Sequence, residues 1–303
     1  MPWNVATYRT ATFNQRDYID DMRDQDRQGL GQRVQREIVS GRAPDIWDLL
    51  FQSMNQYVQR SGRRGLNLPV DNKYRSIGYN GICLGLSIEW IRMYLEDTRI
   101  AAGVRIAELG RNWDKVLARR RMQSDLFHNK YSRDGGGDSL ANTLKFAKYV
   151  GLLQHPAWRE EVEFPLVPAR EPRLRGSAWA ASIRAAKPIP MPQAGRTGIG
   201  FLLGWARVHR PAVGAGRGLG AHAIACAKAG GSRDIIFFEP NYGEYSIPSA
   251  NLSGFLNDYF VHIGTGFPNS VPNGEKHLLV DAVTFFYEGA SKFEQMRQQV
   301  QRR

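Results

Sequence analysis

An α+β fold, with helices ahead of a mostly antiparallel sheet, is predicted by two patterns in the sequence and by the break between them. The first is helical spacing: apolar residues recur at Leu84, Ile88, Ile91 and Leu95, the period of a helix with one buried face. The second is a series of short apolar or alternating runs in the C-terminal part, separated by glycine and polar residues. The break is residues 156–192, rich in proline and basic residues and poor in periodicity. That stretch reads as a long irregular connection between a helical half and a β half. Helices segregated from an antiparallel sheet define the α+β class.

The elements follow in order. Residues 1–43 are polar, and Asp17 to Gln35 hold almost no large apolar residues, which suits a solvated helix or a mobile arm. Asp45 is placed to cap an amphipathic helix carrying Ile46, Leu49, Leu50, Met54, Tyr57 and Val58. The run from Asn80 to Trp90 delivers Cys83 through a glycine-containing turn to the start of the next helix. Two or three further helices are expected before Gly151. Arg119-Arg120-Arg121 lies on one of them and Asp134 to Asp138 forms a glycine loop. Strands are expected at Ile199 to Ala206, Ala221 to Ala227, Ile235 to Glu239, Glu244 to Ile247 and Leu278 to Tyr287, with a helix near Asn251 to Ile263. The tail from Ser291 reads as helical and basic.

Composition narrows the function classes. The 303 residues, 42% hydrophobic, suffice for a substantial core. Lys and Arg outnumber Asp and Glu by 41 to 29, a net charge of +12 that favours acidic partners. The two cysteines, Cys83 and Cys226, are too few for a disulfide scaffold and too far apart for a CxxC site. The N-terminus has no apolar signal-peptide core, and no stretch approaches a membrane span. No His-Glu-x-x-His or other metal-spaced cluster occurs, so neither metal nor cofactor is expected. The Gly214 to Gly220 run lacks the Gly-Lys-Ser/Thr of a phosphate loop and leads into a strand, which removes a nucleotide site.

The chemistry centres on Cys83. At a helix N-terminus, unpaired N–H groups and the positive end of the macrodipole favour thiolate over thiol. The competing reading is a small buried core side chain. A cysteine nucleophile also needs a base and a group to orient it. Six histidines are present: His128, His155, His209, His222, His262 and His277. His222 stands out in Gly220-Ala221-His222-Ala223-Ile224-Ala225-Cys226. Alternation gives it a face with Ile224 and Cys226, opposite an all-alanine face suited to close packing. If Gly230-Gly231 is a two-residue turn, His222 faces Glu239. If the loop is the four residues Gly230 to Arg233, it faces Asn241. Either residue type can orient an imidazole. Cys226 reads as core.

Three blocks carry a resemblance: Asn80-Gly81-Ile82-Cys83-Leu84-Gly85-Leu86-Ser87-Ile88-Glu89-Trp90-Ile91, Ala221-His222-Ala223-Ile224-Ala225, and Phe237-Phe238-Glu239-Pro240-Asn241-Tyr242-Gly243-Glu244-Tyr245. In this order and separation they resemble the YopT/AvrPphB-type cysteine proteases, bacterial effectors delivered into other cells. The resemblance spans roughly residues 75–250. It implies a papain-like fold, Cys83 as nucleophile, His222 as general base and Glu239 where the family carries an aspartate. Residues 71–303 are then the catalytic domain, and residues 1–70 a polar region with a secretion- or partner-related role. A protein substrate is implied, with an acidic or membrane-associated target suited to the basic charge, and a secretion chaperone is a further expected partner. Secretion without a cleavable signal and action in the target cell's cytoplasm or at its membrane follow from the same likeness. The backbone N–H of Cys83 and, second, Asn80 are the candidate oxyanion donors.

Two other readings compete. The same three residues can serve deamidation or transamidation. A non-enzymatic basic protein binding anionic membrane or nucleic acid also fits the charge, although scattered basic residues and the lack of a nucleic-acid module argue against nucleic acid.

Overall fold

The computed structural model describes residues 6–15, 83–111, 144, 147–148, 150–165, 170–190, 197–210, 217–265 and 275–289. The helix expected after Pro44, Asn80, Arg119–Arg121, His128, the glycine loop 134–138 and the tail from Ser291 lie outside them. The helical spacing around Cys83 is realised as α1, Cys83–Glu96, and α2 follows at Ala102–Arg111. The expected strands are all present, as β4 (Thr197–Arg210), β5 (Arg217–Ala229), β6 (Asp234–Glu239), β7 (Gly243–Pro248) and β8 (Glu275–Tyr287). The expected late helix is α4, Leu252–Gly264.

Two expectations are corrected. The stretch 156–192 is not irregular: it holds most of β2, Leu152–Pro165, then α3, Arg170–Ala185, and the short β3, Ile189–Pro190. Two of its prolines sit where a missing N–H is tolerated. Pro156 falls within the register irregularity between Gln154 and Arg159 on a strand at the sheet's end, and Pro172 lies in the first turn of α3. Trp179 Nε1 and Arg175 Nη1 of α3 donate to the Glu160 carboxylate of β2 at 2.7 and 2.9 Å. The order is not helices and then sheet, either. Arg9–Ala11 form a strand, β1, ahead of every helix. It pairs with β7, Arg9 against Tyr245 and Ala11 against Glu244. Arg9–Ala11 are thus built into the sheet rather than belonging to an arm.

The strands described make one antiparallel sheet in the order β1-β7-β6-β5-β4-β8-β2, with β3 beside β4. Helix α1 covers one face, and α3 and α4, packed on each other, cover the other. Alternation along β5 explains the division: Ala223, Ala225 and Ala227 join the core under α1, while Ile224 and Cys226 join the core under α3 and α4. The alanine face therefore receives a helix, as its small side chains suggest. At Gly200 on β4, a Cβ would lie 2.4 Å from Ile91 Cγ2, so α1 approaches the sheet closely there too.

This close seat buries α1 nearly all round, beyond its apolar stripe, and its polar residues need partners. Ser87 Oγ donates to the Ala223 carbonyl at 3.0 Å. Trp90 stacks on Phe238 of β6 at 5.5 Å, and its Nε1 donates to Glu244 Oε2 at 2.7 Å. Arg105 of α2 completes that knot, its guanidinium donating to both Glu244 oxygens at 2.7 and 2.9 Å with both side chains buried. The prediction is that Arg105→Ala, which strands the Glu244 carboxylate in the core, lowers stability by about 3–5 kcal/mol, measured by denaturant unfolding. A loss within the range of a surface substitution would contradict the pairing.

Candidate active site

Cys83 is the first residue of α1 and is buried. The first amides of a helix have no intrahelical acceptor, and the macrodipole is positive there. The helix is aimed by its packing on β5, whose Ala223 both accepts from Ser87 and forms a backbone hydrogen bond with the Cys83 side chain. One residue earlier on β5 stands His222, which is hydrogen-bonded to Cys83. The imidazole Nε2 meets Glu239 Oε1 in a short hydrogen bond. With Nε2 so engaged, Nδ1 is the nitrogen left for the sulfur. The three residues singled out in the sequence therefore converge, although they lie in separate elements.

The hairpin register decides between the two readings of its turn. Ala225 pairs with Phe238, Cys226 with Phe237 and Ala227 with Ile236, which is the four-residue loop, Gly230 to Arg233. Continued outward, this register sets Glu239 opposite Ile224, so that His222 is its diagonal neighbour on the same face. Diagonal Cβ atoms lie roughly 7–8 Å apart, within reach of long side chains only. The extra methylene of Glu239 is what spans that distance. Directly opposite His222 the strand has already given way to a turn that brings Asn241 beside the same carboxylate. The Asn241 N–H donates to Glu239 Oε2 at 3.1 Å, and its Nδ2 lies 3.3 Å from Glu239 Oε1 and 3.4 Å from His222 Nε2. Both candidate orienters are thus at the imidazole, with Glu239 in the direct bond.

The electrostatics follow from this geometry. Burial pushes the Cys83 thiol up, but the charge and hydrogen bond of His222 and the Ala223 backbone bond outweigh it, leaving the thiol below its ordinary value. Burial opposes protonation of His222, yet its interactions with Cys83 and then Glu239 prevail and raise it to about 10. Both shifts run toward a thiolate paired with an imidazolium. Cys226 is the contrast: burial alone acts on it and pushes its thiol up, as a core residue requires.

Several groups here gave no sequence signal. Trp205, opposite His222 on β4, lies with its ring 5.4 Å from the imidazole and donates from Nε1 to the Tyr259 hydroxyl at 3.1 Å. Its ring is inclined at 58° to the imidazole. Gln15, from the N-terminal segment, donates from Nε2 to Asn241 Oδ1 at 2.6 Å. Of the other histidines described, His155 and His209 are buried elsewhere on the sheet, and His277 meets Glu275 at its surface. No group of three or more His, Cys, Asp or Glu among the described residues is placed to hold a metal ion.

A family model, Peptidase_C58, described as Yersinia/Haemophilus virulence surface antigen, matches residues 214–268. The match takes in β5, β6, β7 and α4, and with them His222, Glu239 and Asn241. The likeness to the YopT/AvrPphB family is borne out. Among solved structures, the crystal structure of Pseudomonas avirulence protein AvrPphB is similar over 67% of this chain and 90% of that one, at 17% identity and a TM-score of 0.44. No curated protein matches. The matched stretch contributes His222 and Glu239 to the site, while Cys83 comes from α1, outside it.

The raised affinity of His222 for its proton is open to direct measurement. Ring-proton NMR is expected to show His222 titrating with a midpoint of about 10. Cys83→Ala removes the anion that holds the proton, and the midpoint then falls, because burial is left to oppose the charge. An unchanged midpoint in that variant would contradict the ion pair.

Proposed function

We propose that the protein is a cysteine peptidase of the YopT/AvrPphB type, built on a papain-like arrangement and acting by acyl transfer on a protein substrate. The observation that carries this reading is the hydrogen-bonded line from Cys83 through His222 to Glu239. It starts at a helix N-terminus, where a thiolate is favoured, and the family match falls on the half of the site that supplies base and acid. In this mechanism the Cys83 thiolate adds to the scissile carbonyl carbon. The negative charge moves to the carbonyl oxygen and is met by the Cys83 backbone N–H at the start of α1. The His222 imidazolium gives its proton to the departing amine as the carbon–nitrogen bond breaks, leaving a thioester. Water, losing a proton to His222, then displaces the sulfur and releases the carboxylic acid. Glu239 stabilises the imidazolium and fixes the ring, and is not itself required to take the proton.

The remaining parts of the reading concern context. The charge of +12 suits an acidic or membrane-associated protein target, toward which the enzyme is drawn electrostatically. Delivery into another cell, without a cleavable signal and with a chaperone, is the mode the family likeness suggests, and residues 1–70 remain the candidate region for that traffic. No helix among the described residues is long and apolar enough to cross a membrane.

The test is mass spectrometry of target-cell lysate treated with the wild type or with variants. New peptide N-termini that appear with wild type and vanish with Cys83→Ala are expected. Gains of about one dalton without cleavage would instead assign the same residues to deamidation, and an unchanged lysate with an undiminished biological effect of Cys83→Ala would leave a binding protein. For any substrate so found, Cys83→Ala or His222→Ala is expected to lower kcat by at least roughly a thousandfold. Glu239→Gln is expected to lower it by about a hundredfold or more, because the amide no longer stabilises the imidazolium.

A further inference from the structure

Gln15 reaches the candidate site from the opposite end of the chain, and the segment that carries it is fixed at several points. Strand β1 pairs with β7, the Ser246 N–H donates to the Tyr8 carbonyl at 3.0 Å, and Thr10 Oγ1 donates to the Glu244 carbonyl at 3.1 Å. Phe13 is buried edge-on against Phe238 at 5.6 Å, and the Gln15 N–H donates to the Pro240 carbonyl at 2.8 Å. Gly243, at a φ of +120°, closes the turn after Asn241, and a Cβ there would lie 2.0 Å from the Ala11 carbonyl. A side chain at that position is excluded both by its backbone and by the passing strand.

The chemistry of the amides then decides an orientation. The Gln15 Nε2 donates to Asn241 Oδ1 at 2.6 Å, so the oxygen of Asn241 is turned toward Gln15. Its Nδ2 is thereby turned toward Glu239 Oε1 and His222 Nε2. Reversed, the Asn241 amide would set an oxygen lone pair against the acceptor-only Glu239 carboxylate, and would set donor against donor at Gln15 unless that amide turned with it. Held as it is, Asn241 binds Glu239 at both oxygens, through its N–H and its Nδ2, and leaves Oε1 aimed at His222.

We propose that Gln15 is a positioning residue for His222: by fixing the Asn241 amide it locks the Glu239 carboxylate in the geometry that holds the imidazole toward Cys83. The proposal rests on the reading of Cys83 and His222 as a reactive pair, and it makes the N-terminal segment part of the catalytic apparatus. It also accounts for a partly buried glutamine being drawn to the site by a strand of three residues. Gln15 touches neither the sulfur nor the scissile bond, and its effect passes through Asn241 and Glu239.

The experiment follows the rate of iodoacetamide alkylation of Cys83 against pH in the full chain, with mass spectrometry separating Cys83 from Cys226. Wild type is compared with Gln15→Met, which keeps the length and removes the donor. It is also compared with Gln15→Glu, which sets an acceptor against Asn241 Oδ1 and drives the amide round. Both variants retain the backbone bond to Pro240, and thermal unfolding is recorded for each. Wild type is expected to show a fast acidic limb, and both variants are expected to lose roughly tenfold in rate on it, the weight of one charge-assisted hydrogen bond. The larger loss is expected in Gln15→Glu. A limb unmoved in both variants, with or without a lower unfolding midpoint, would overturn the role of Gln15 and leave the proposed function standing. A wild type in which Cys83 reacts no faster than Cys226 would overturn both.

Discussion

Helix α1 rests on β5 because nothing larger than a methyl group stands between them. Ala223, Ala225 and Ala227 form the floor, Gly200 admits Ile91 beside it, and Ser87 bonds the Ala223 carbonyl. This close seat fixes the height and direction of the helix, and hence where its first residue lies. Cys83 meets His222 because the residue before Ala223 on the strand lies under the start of the helix. A bulkier strand would lift α1 and separate thiol from imidazole before either residue had been changed. Trp90 on Phe238 and the Glu244 knot with Arg105 hold the other end of the helix against β6 and β7, the strands that flank the turn carrying Asn241.

Burying two opposite charges is costly unless each finds partners. Here the sulfur has His222 and the Ala223 backbone, and the imidazole has the sulfur and Glu239. Glu239 in turn has Asn241 at both oxygens. The line is therefore a chain of dependent contacts rather than three separate residues, and it continues through Asn241 to the N-terminal segment. Trp205 stands at its side, its ring 5.4 Å from the imidazole. The length of the Glu239 side chain is consistent with this geometry, since it spans a diagonal between neighbouring strands.

Much of this was legible in short stretches of sequence. The period of Leu84, Ile88, Ile91 and Leu95 located α1, the alternation around His222 separated an alanine face from an apolar one, and the glycine before the helix pointed to Cys83. The partner of His222 was left between Glu239 and Asn241, because loops of two and four residues both preserve its face. Loop length depends on the backbone of Gly230 to Arg233, which alternation does not report. The prolines of 156–192 were read as breakers because their tolerance depends on tertiary place: an edge strand at Pro156 and a first helical turn at Pro172. Strand β1 was hidden for a different reason. Arg9, Thr10 and Ala11 carry no pattern, and their pairing with β7 spans most of the chain. Gln15 is set beside the site by that same long-range pairing, and Trp205 by the register of β4 on β5, which alternation does not report.

The central claim is that Cys83 is a thiolate at neutral pH because His222 holds the compensating charge. Thiolate ultraviolet absorbance, taken as the difference between wild type and Cys83→Ala across a pH titration, measures that state without any substrate. The thiolate signal is expected to be present at neutral pH and to disappear only in acid. In a His222→Ala background the same difference is expected to shift above the ordinary cysteine value, because burial is the largest influence left on the thiol. A wild-type signal that appears only at or above that ordinary value would contradict the account.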